Sequence, residues 1–179
     1  MIRCLFLKSL VLSTVFLMLS ACSGLQHNEQ GTITVEALKN AQYENRWAFA
    51  GRVALIDGIY REKFLPGSST EIVVRLSDQI ALGDLNGDRV EDAAVVLISN
   101  PGTSGTYYDL AVVVNLKGYG FNVASEALGE GIQVKAVAIA SEVIKVEMVV
   151  HGPHDPKCCP TLPITQSYRL QGNELVLTN

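Results

Sequence analysis

The stretch Val143-Ile-Lys-Val-Glu-Met-Val-Val-His151 is the clearest guide to the fold class. Ile144, Val146, Met148 and Val150 fall on one side of an extended chain, and Lys145 and Glu147 fall on the other. A period of two marks a strand with one face in a core and one in water. Ile132–Ile139 precedes it, and Ile164–Leu170 and Glu174–Leu177 follow, the last two flanking the turn Gln171-Gly172-Asn173. Further upstream, Glu71–Leu76, Asp92–Ser99, Tyr107–Asn115 and Phe121–Glu126 are runs with strand character, the first three rich in β-branched residues. Arg52–Ile56 and Ile59–Lys63 flank Asp57-Gly58, a pair suited to the positive φ that a two-residue hairpin turn needs.

One helix is expected, at Thr34–Asn40, with Thr34 as N-cap and Val35, Ala37 and Leu38 supplying apolar contact. Strands recurring about every ten residues, with turn residues between them, predict a mainly β fold. The expected architecture is a single antiparallel sandwich or barrel-like domain with one short N-terminal helix, over residues 32–179. No fixed-period repeat is present.

The first residues carry a different message. Arg3 and Lys8 form a basic start, an uncharged run from Ser9 to Ala21 follows, and Leu19-Ser20-Ala21-Cys22 ends it. The apolar run is too short to cross a bilayer and has the layout of a secretory signal. Its ending resembles the lipobox of bacterial lipoproteins. That resemblance implies a signal peptide over residues 1–21, removed on export, with Cys22 lipidated as the new first residue. By resemblance to Gram-negative sorting signals, Ser23 after Cys22 favours the outer membrane. Acyl chains, including palmitate, at about 0.8 kcal/mol per buried methylene then hold the domain on a membrane face. Residues 22–31 are polar and without periodicity, as a flexible tether should be.

Arg3 and Lys8 are two of the fourteen basic residues, so twelve remain against eighteen acidic ones after residue 21, a net charge of −6. An acidic surface argues against nucleic acid as a partner and against a polybasic membrane patch.

Two segments carry candidate chemistry. In Gly83-Asp-Leu-Asn-Gly-Asp-Arg-Val-Glu-Asp92, the oxygens of Asp84, Asn86, Asp88 and Asp92 stand at positions 1, 3, 5 and 9. With the Val90 carbonyl at position 7 they form a calcium-type donor set, since that hard cation takes six to eight oxygens. The spacing resembles the calcium loops of FG-GAP repeats and the first half of an EF-hand loop. Such loops place Gly at position 6, where φ is positive; here Arg89 stands there, strained by about 1 kcal/mol and adding positive charge. Position 12 is Val95, so the bidentate glutamate of an EF-hand is missing. The alternative is a solvated Asn-Gly turn whose acids cap backbone amides and pair with Arg89. A bound calcium ion is expected to be structural, pinning the turn into the following strand.

The second segment is His151-Gly-Pro-His154-Asp-Pro-Lys-Cys158-Cys159-Pro-Thr161. After loss of Cys4 with the signal and lipidation of Cys22, Cys158 and Cys159 are the remaining thiols, in an oxidising compartment. A vicinal disulfide or free thiol pair, a zinc or copper site with His151 and His154, and thiol redox chemistry are all compatible with these residues. Neighbouring α-carbons stand closer than an ordinary bridge prefers, which makes such a ring strained and reducible.

The lipobox, GDLNGDRVEDAAVVL, SGTYYDLAVVVN and HGPHDPKCCPT together resemble a group of small, uncharacterised bacterial lipoproteins and secreted proteins. In that group an acidic Asn-Gly-Asp loop and a Cys-Cys-Pro segment recur. The resemblance implies envelope location and one-domain architecture, and carries no activity. No nucleophile elbow, phosphate loop, dinucleotide fingerprint or zinc-protease motif is present. The expectation is a non-enzymatic, lipid-anchored envelope protein that binds an envelope protein, peptide or glycan. Metal or thiol handling through residues 151–159 is one alternative, and inhibition of an envelope hydrolase is another.

Overall fold

The computed structural model describes residues 31–102 and 104–178. The fold is mainly β, with antiparallel sheets, one of them strongly curled into a half-barrel, and one short helix. The helix α1 (Val35–Lys39) is capped as the sequence predicts: the Thr34 hydroxyl accepts from the Ala37 amide at 3.1 Å. Among the described residues, eleven strands follow. A small hairpin pairs β1 (Gln42–Glu44) with β2 (Arg52–Ala54). A five-stranded sheet runs in chain order through β3 (Ile59–Lys63), β4 (Glu71–Gly83), β5 (Asp92–Asn100), β6 (Tyr107–Leu116) and β7 (Tyr119–Glu130). A four-stranded sheet joins β8 (Gln133–Ala140), β9 (Val143–Val150), β10 (Leu162–Gln171) and β11 (Glu174–Leu177), again in chain order.

The central strands of the five-stranded sheet, β5 and β6, are buried on both faces, and their sequence shows why. On β5, Ala93, Val95 and Leu97 point to one side, where Ile33, Leu38, Tyr43, Val53 and Leu55 of the N-terminal segment cover them. Ala94 and Val96 point to the other, onto Ile144, Val146 and Met148 of the four-stranded sheet. Strand β6 alternates the same way, with Ala111 and Val113 against the N-terminal layer and Leu110, Val112 and Val114 against β9. A strand wet on one face alternates; one dry on both reads as a continuous apolar run. Strand β9 is the first kind, with Ile144, Val146 and Met148 buried and Lys145 and Glu147 exposed.

Two local expectations need correction. Asp57 and Gly58 do take positive φ, 51° and 80°, but the turn does not join two paired strands. Only Ile56 and Ile59 bridge across it. Strand β2 pairs instead with β1, because Val53 and Leu55 bury under the N-terminal layer while β3 joins the sheet beside β4. Strand β4 does not end at Leu76. A register shift between Leu76 and Ile80 absorbs the polar Ser77-Asp78-Gln79, and pairing with β5 resumes to Gly83.

Asn115 ties three segments together at one end of the sheet. Its amide nitrogen donates to the Gly31 carbonyl at 2.8 Å and the Glu91 carbonyl at 3.2 Å, and its side-chain oxygen accepts from Gly118 N at 2.8 Å. Its backbone N–H donates to Asp92 at 2.9 Å.

Leu97→Ala and Leu110→Ala, one on each face of the central sheet, should each lower the unfolding free energy by about 2–5 kcal/mol in urea denaturation. A loss below about 1 kcal/mol for either would show that its face is not packed as described.

Candidate functional site

The acidic loop leaves β4 at Gly83 and enters β5 at Asp92. Asp84 caps it: Oδ1 accepts from Asn86 N at 3.2 Å and Gly87 N at 2.7 Å, and Oδ2 from Arg89 N at 2.8 Å. Asn86 Oδ1 accepts from Asp88 N at 2.9 Å, and Asp88 Oδ1 accepts from Val90 N at 2.7 Å. Desolvation pushes the Asp84 carboxyl up, but the amides of Arg89, Gly87, Asn86 and Asp88 together outweigh it and hold it below the ordinary value. Arg89 stands at φ 68°, the left-handed region that the position-6 comparison implies. Its backbone amide, not its guanidinium, is what engages Asp84.

Asp92 departs from the other donors. It is buried, and its oxygens accept from Leu85 N at 3.0 Å and Asn115 N at 2.9 Å. Burial pushes its carboxyl up, the Asn115 and Leu85 amides pull it back, and the charges of Asp88 and Asp84 raise it again, leaving it above the usual range. Among the described residues, no group of three or more His, Cys, Asp or Glu side chains is arranged to hold a metal ion. Asp84, Asn86 and Asp88 nevertheless share one turn; Asp84 Oδ1 accepts two amides, whereas Asp84 Oδ2 and both Asp88 oxygens accept one donor each and keep a second lone pair. Asp92, expected as a fifth donor, is instead buried and bonded to the Leu85 and Asn115 amides.

The 151–161 segment connects β9 to β10. Cys158 and Cys159 are bridged to each other, with α-carbons 3.8 Å apart, so the vicinal disulfide is the form present. Asp155 organises the loop. Its Oδ2 accepts from Gly152 N at 2.8 Å and Thr161 N at 2.7 Å, and its Oδ1 accepts from the Thr161 hydroxyl at 2.8 Å. The Gly152 amide, then the Thr161 hydroxyl, hold its carboxyl below the usual range, with His151 adding to the effect. His151 is half-buried and His154 exposed. In the bridged form neither sulfur is a thiolate, so metal ligation here requires prior reduction.

A third site escaped the sequence reading. The connection between β1 and β2 lays Asn45, Arg46 and Trp47 over the ends of β5 and β6. Asn45 Nδ2 donates to Ser99 Oγ at 2.9 Å, and Trp47 N donates to Asn45 Oδ1 at 3.0 Å. Arg46 donates to Asp109 Oδ1 at 3.0 Å, and its guanidinium carbon lies 5.4 Å from the Trp47 ring centroid. Trp47 in turn packs on Tyr107, ring centroids 4.1 Å apart. Among the described residues, two buried side-chain polar atoms have no hydrogen-bond partner, Asp109 Oδ2 and Trp47 Nε1. Asp109 borders an open cleft of about 300 Å³ with Glu44, Asn45, Arg46, Gly51 and Ser125. Burial pushes its carboxyl above the ordinary range, Arg46 opposing and Glu126 reinforcing the shift. The sequence did hold one clue: Asp109 is an acid inside the apolar run Leu110–Val114 and its approach.

Cys22, the signal segment and most of the tether lie outside the described residues. Among the described residues no helix is long and apolar enough to cross a membrane. Comparison with known proteins finds no matching family model, no matching curated protein and no matching solved structure.

The raised Asp109 carboxyl has a pH signature. The native state binds its proton more tightly than the unfolded chain, so stability falls as pH rises through the window between the ordinary carboxylate value and the raised one. Asp109→Asn keeps an oxygen for Arg46 and removes the ionisation. Urea denaturation from about pH 4 to about pH 7 should therefore show a shallower decline in the variant. Identical slopes would contradict the burial of the charge.

Proposed function

We propose that this chain is a lipid-anchored cell-envelope protein of non-enzymatic type that binds a peptide, glycan or protein partner. The observation that carries the binding reading is Asp109 Oδ2, a desolvated carboxylate oxygen without a donor, at the edge of an open cleft. Leaving such an atom unpaired costs about 1–3 kcal/mol, so a ligand bearing an N–H or O–H gains by completing it. Peptides and glycans both carry such donors, and the Trp47–Tyr107 ring pair lies behind Arg46, whose guanidinium carbon is 5.4 Å from the Trp47 centroid. A hydrolase whose loop enters the cleft is one form the protein partner takes.

Anchoring rests on Leu19-Ser20-Ala21-Cys22, with the outer membrane favoured by Ser23 in a Gram-negative host. In the same reading the turn at Asp84, Asn86 and Asp88 takes calcium in a structural role. The second reading, thiol or metal handling, is favoured by the bridge between Cys158 and Cys159 on an exposed loop. It needs an external thiol reductant to open the site for His151 and His154.

Trp47 is the sole tryptophan, so its emission reports on the Asp109 region without a label. Titration with peptidoglycan fragments, amine-bearing peptides and oligosaccharides should give a saturable change for one class, lost in Asp109→Asn. A flat response to all three would remove the cleft from the function. For the anchor, the wild type should incorporate labelled palmitate and accumulate precursor under globomycin, and Cys22→Ala should do neither. A Cys22→Ala protein that still partitions into detergent would defeat the anchor.

A further inference from the structure

The hairpin joining β6 to β7 ends in Leu116-Lys117-Gly118-Tyr119-Gly120-Phe121. Lys117 and Gly118 make a tight turn with φ of 57° and 90°. Leu116 is 53%, Tyr119 73% and Phe121 51% exposed. They are not scattered. Leu116 pairs with Tyr119 and Val114 with Phe121, so the period-two alternation puts all four on one face. Val114 belongs to the buried cluster beneath the four-stranded sheet. The apolar strip therefore starts in the core and runs past its edge into solvent.

The place where the chain enters the fold names the occupant of this strip. Gly31, where the described chain begins, is held against the turn: the Asn115 side chain donates to its carbonyl at 2.8 Å, and a Cβ on Gly31 would stand 2.7 Å from the Gly118 α-carbon. The chain from Cys22 to Gly31 reaches at most about 30 Å fully extended. A coil of that many polar residues typically spans only about 15–18 Å. A lipid at Cys22 therefore holds this tip, rather than the far end of the sheet, within reach of the headgroups.

We propose that the tip of the β6–β7 hairpin is a bilayer-contact site, in which Leu116, Tyr119 and Phe121 enter the interfacial region of the membrane that holds the anchor. The proposal rests on the lipid-anchor reading above. The side chains have the chemistry such a contact needs. Leu and Phe insert, Tyr sits with its ring among the acyl ends and its hydroxyl in water, and Lys117 reaches phosphate from the turn. Tethering makes the contact intramolecular, so three side chains suffice where a free protein would need more. Anionic lipid is not the source of attraction. The acidic loop stands beside the tip, with Glu91 and Asp92 both bonded to Asn115. The contact is therefore driven by apolar insertion into a predominantly phosphatidylethanolamine surface.

The test uses the full lipidated chain with Trp47→Phe, carrying either Tyr119→Trp or Phe64→Trp as the single fluorophore. Phe64 is also half exposed, but it precedes β4 at the opposite end of the sheet. Both proteins are reconstituted in phosphatidylethanolamine vesicles containing a minor share of phosphatidylglycerol, with and without acyl-brominated lipid. Brominated lipid should quench the Tyr119→Trp emission strongly and leave Phe64→Trp nearly unchanged. Acrylamide should quench Phe64→Trp several-fold more than Tyr119→Trp. If the lipidated chain floats with the vesicles but Tyr119→Trp is open to acrylamide and insensitive to bromine, the tip proposal fails and the anchor stands. Protection from acrylamide without bromine quenching means that protein, such as a second copy, covers the strip, and this too overturns it. A chain that carries no palmitate and does not float overturns the anchor reading and the proposal with it.

Discussion

The β5–β6 pair must be dry on both sides, and the remaining architecture answers to that demand. Side chains from Ala93 to Leu97 and from Leu110 to Val113 are wholly withdrawn from water, alternately upward and downward. Neither face can be left uncovered without exposing a continuous apolar surface. The four-stranded C-terminal sheet covers one face, and the helix with the β1–β2 hairpin covers the other. Each candidate site lies where one of these covers meets the central sheet or turns away from it.

That arrangement explains the Asp109 cleft. Ser99 and Asp109 share the face of the sheet that carries the N-terminal layer, at its margin, where apolar cover gives way to Asn45 and Arg46. The acid is dry enough to be shifted and close enough to Arg46 to stay compatible with the fold. Its second oxygen has no hydrogen-bond donor. The acidic loop is the converse case: its carboxylates are wet, and their charge is shared among amides of their own turn.

The legible parts of the sequence were those whose physics is local. Alternation in β9, positive φ at Asp57-Gly58 and at Arg89, the Thr34 cap and the β-rich fold all follow from neighbours a few residues apart. The pairing of Cys158 with Cys159 was legible as one of several options, since both lie in one short segment. Longer-range facts were hidden. The continuous runs in β5 and β6 announce two dry faces, yet nothing local says that residues 33–55 supply the second cover. Arg46 finds Asp109 across 63 positions, and no periodicity in Asn45-Arg46-Trp47 points there. The bulge in β4 was misread as an ending because Ser77-Asp78-Gln79 looks like a loop when its partner strand is out of view.

The bond from Asn115 to the Gly31 carbonyl spans 84 positions of chain. A chain made from its amino end presents Gly31 well before Asn115 arrives. The contact therefore forms only once the β6–β7 hairpin is in place, and it closes the N-terminal end of a cover that Asn45–Ser99 and Arg46–Asp109 hold at the other margin.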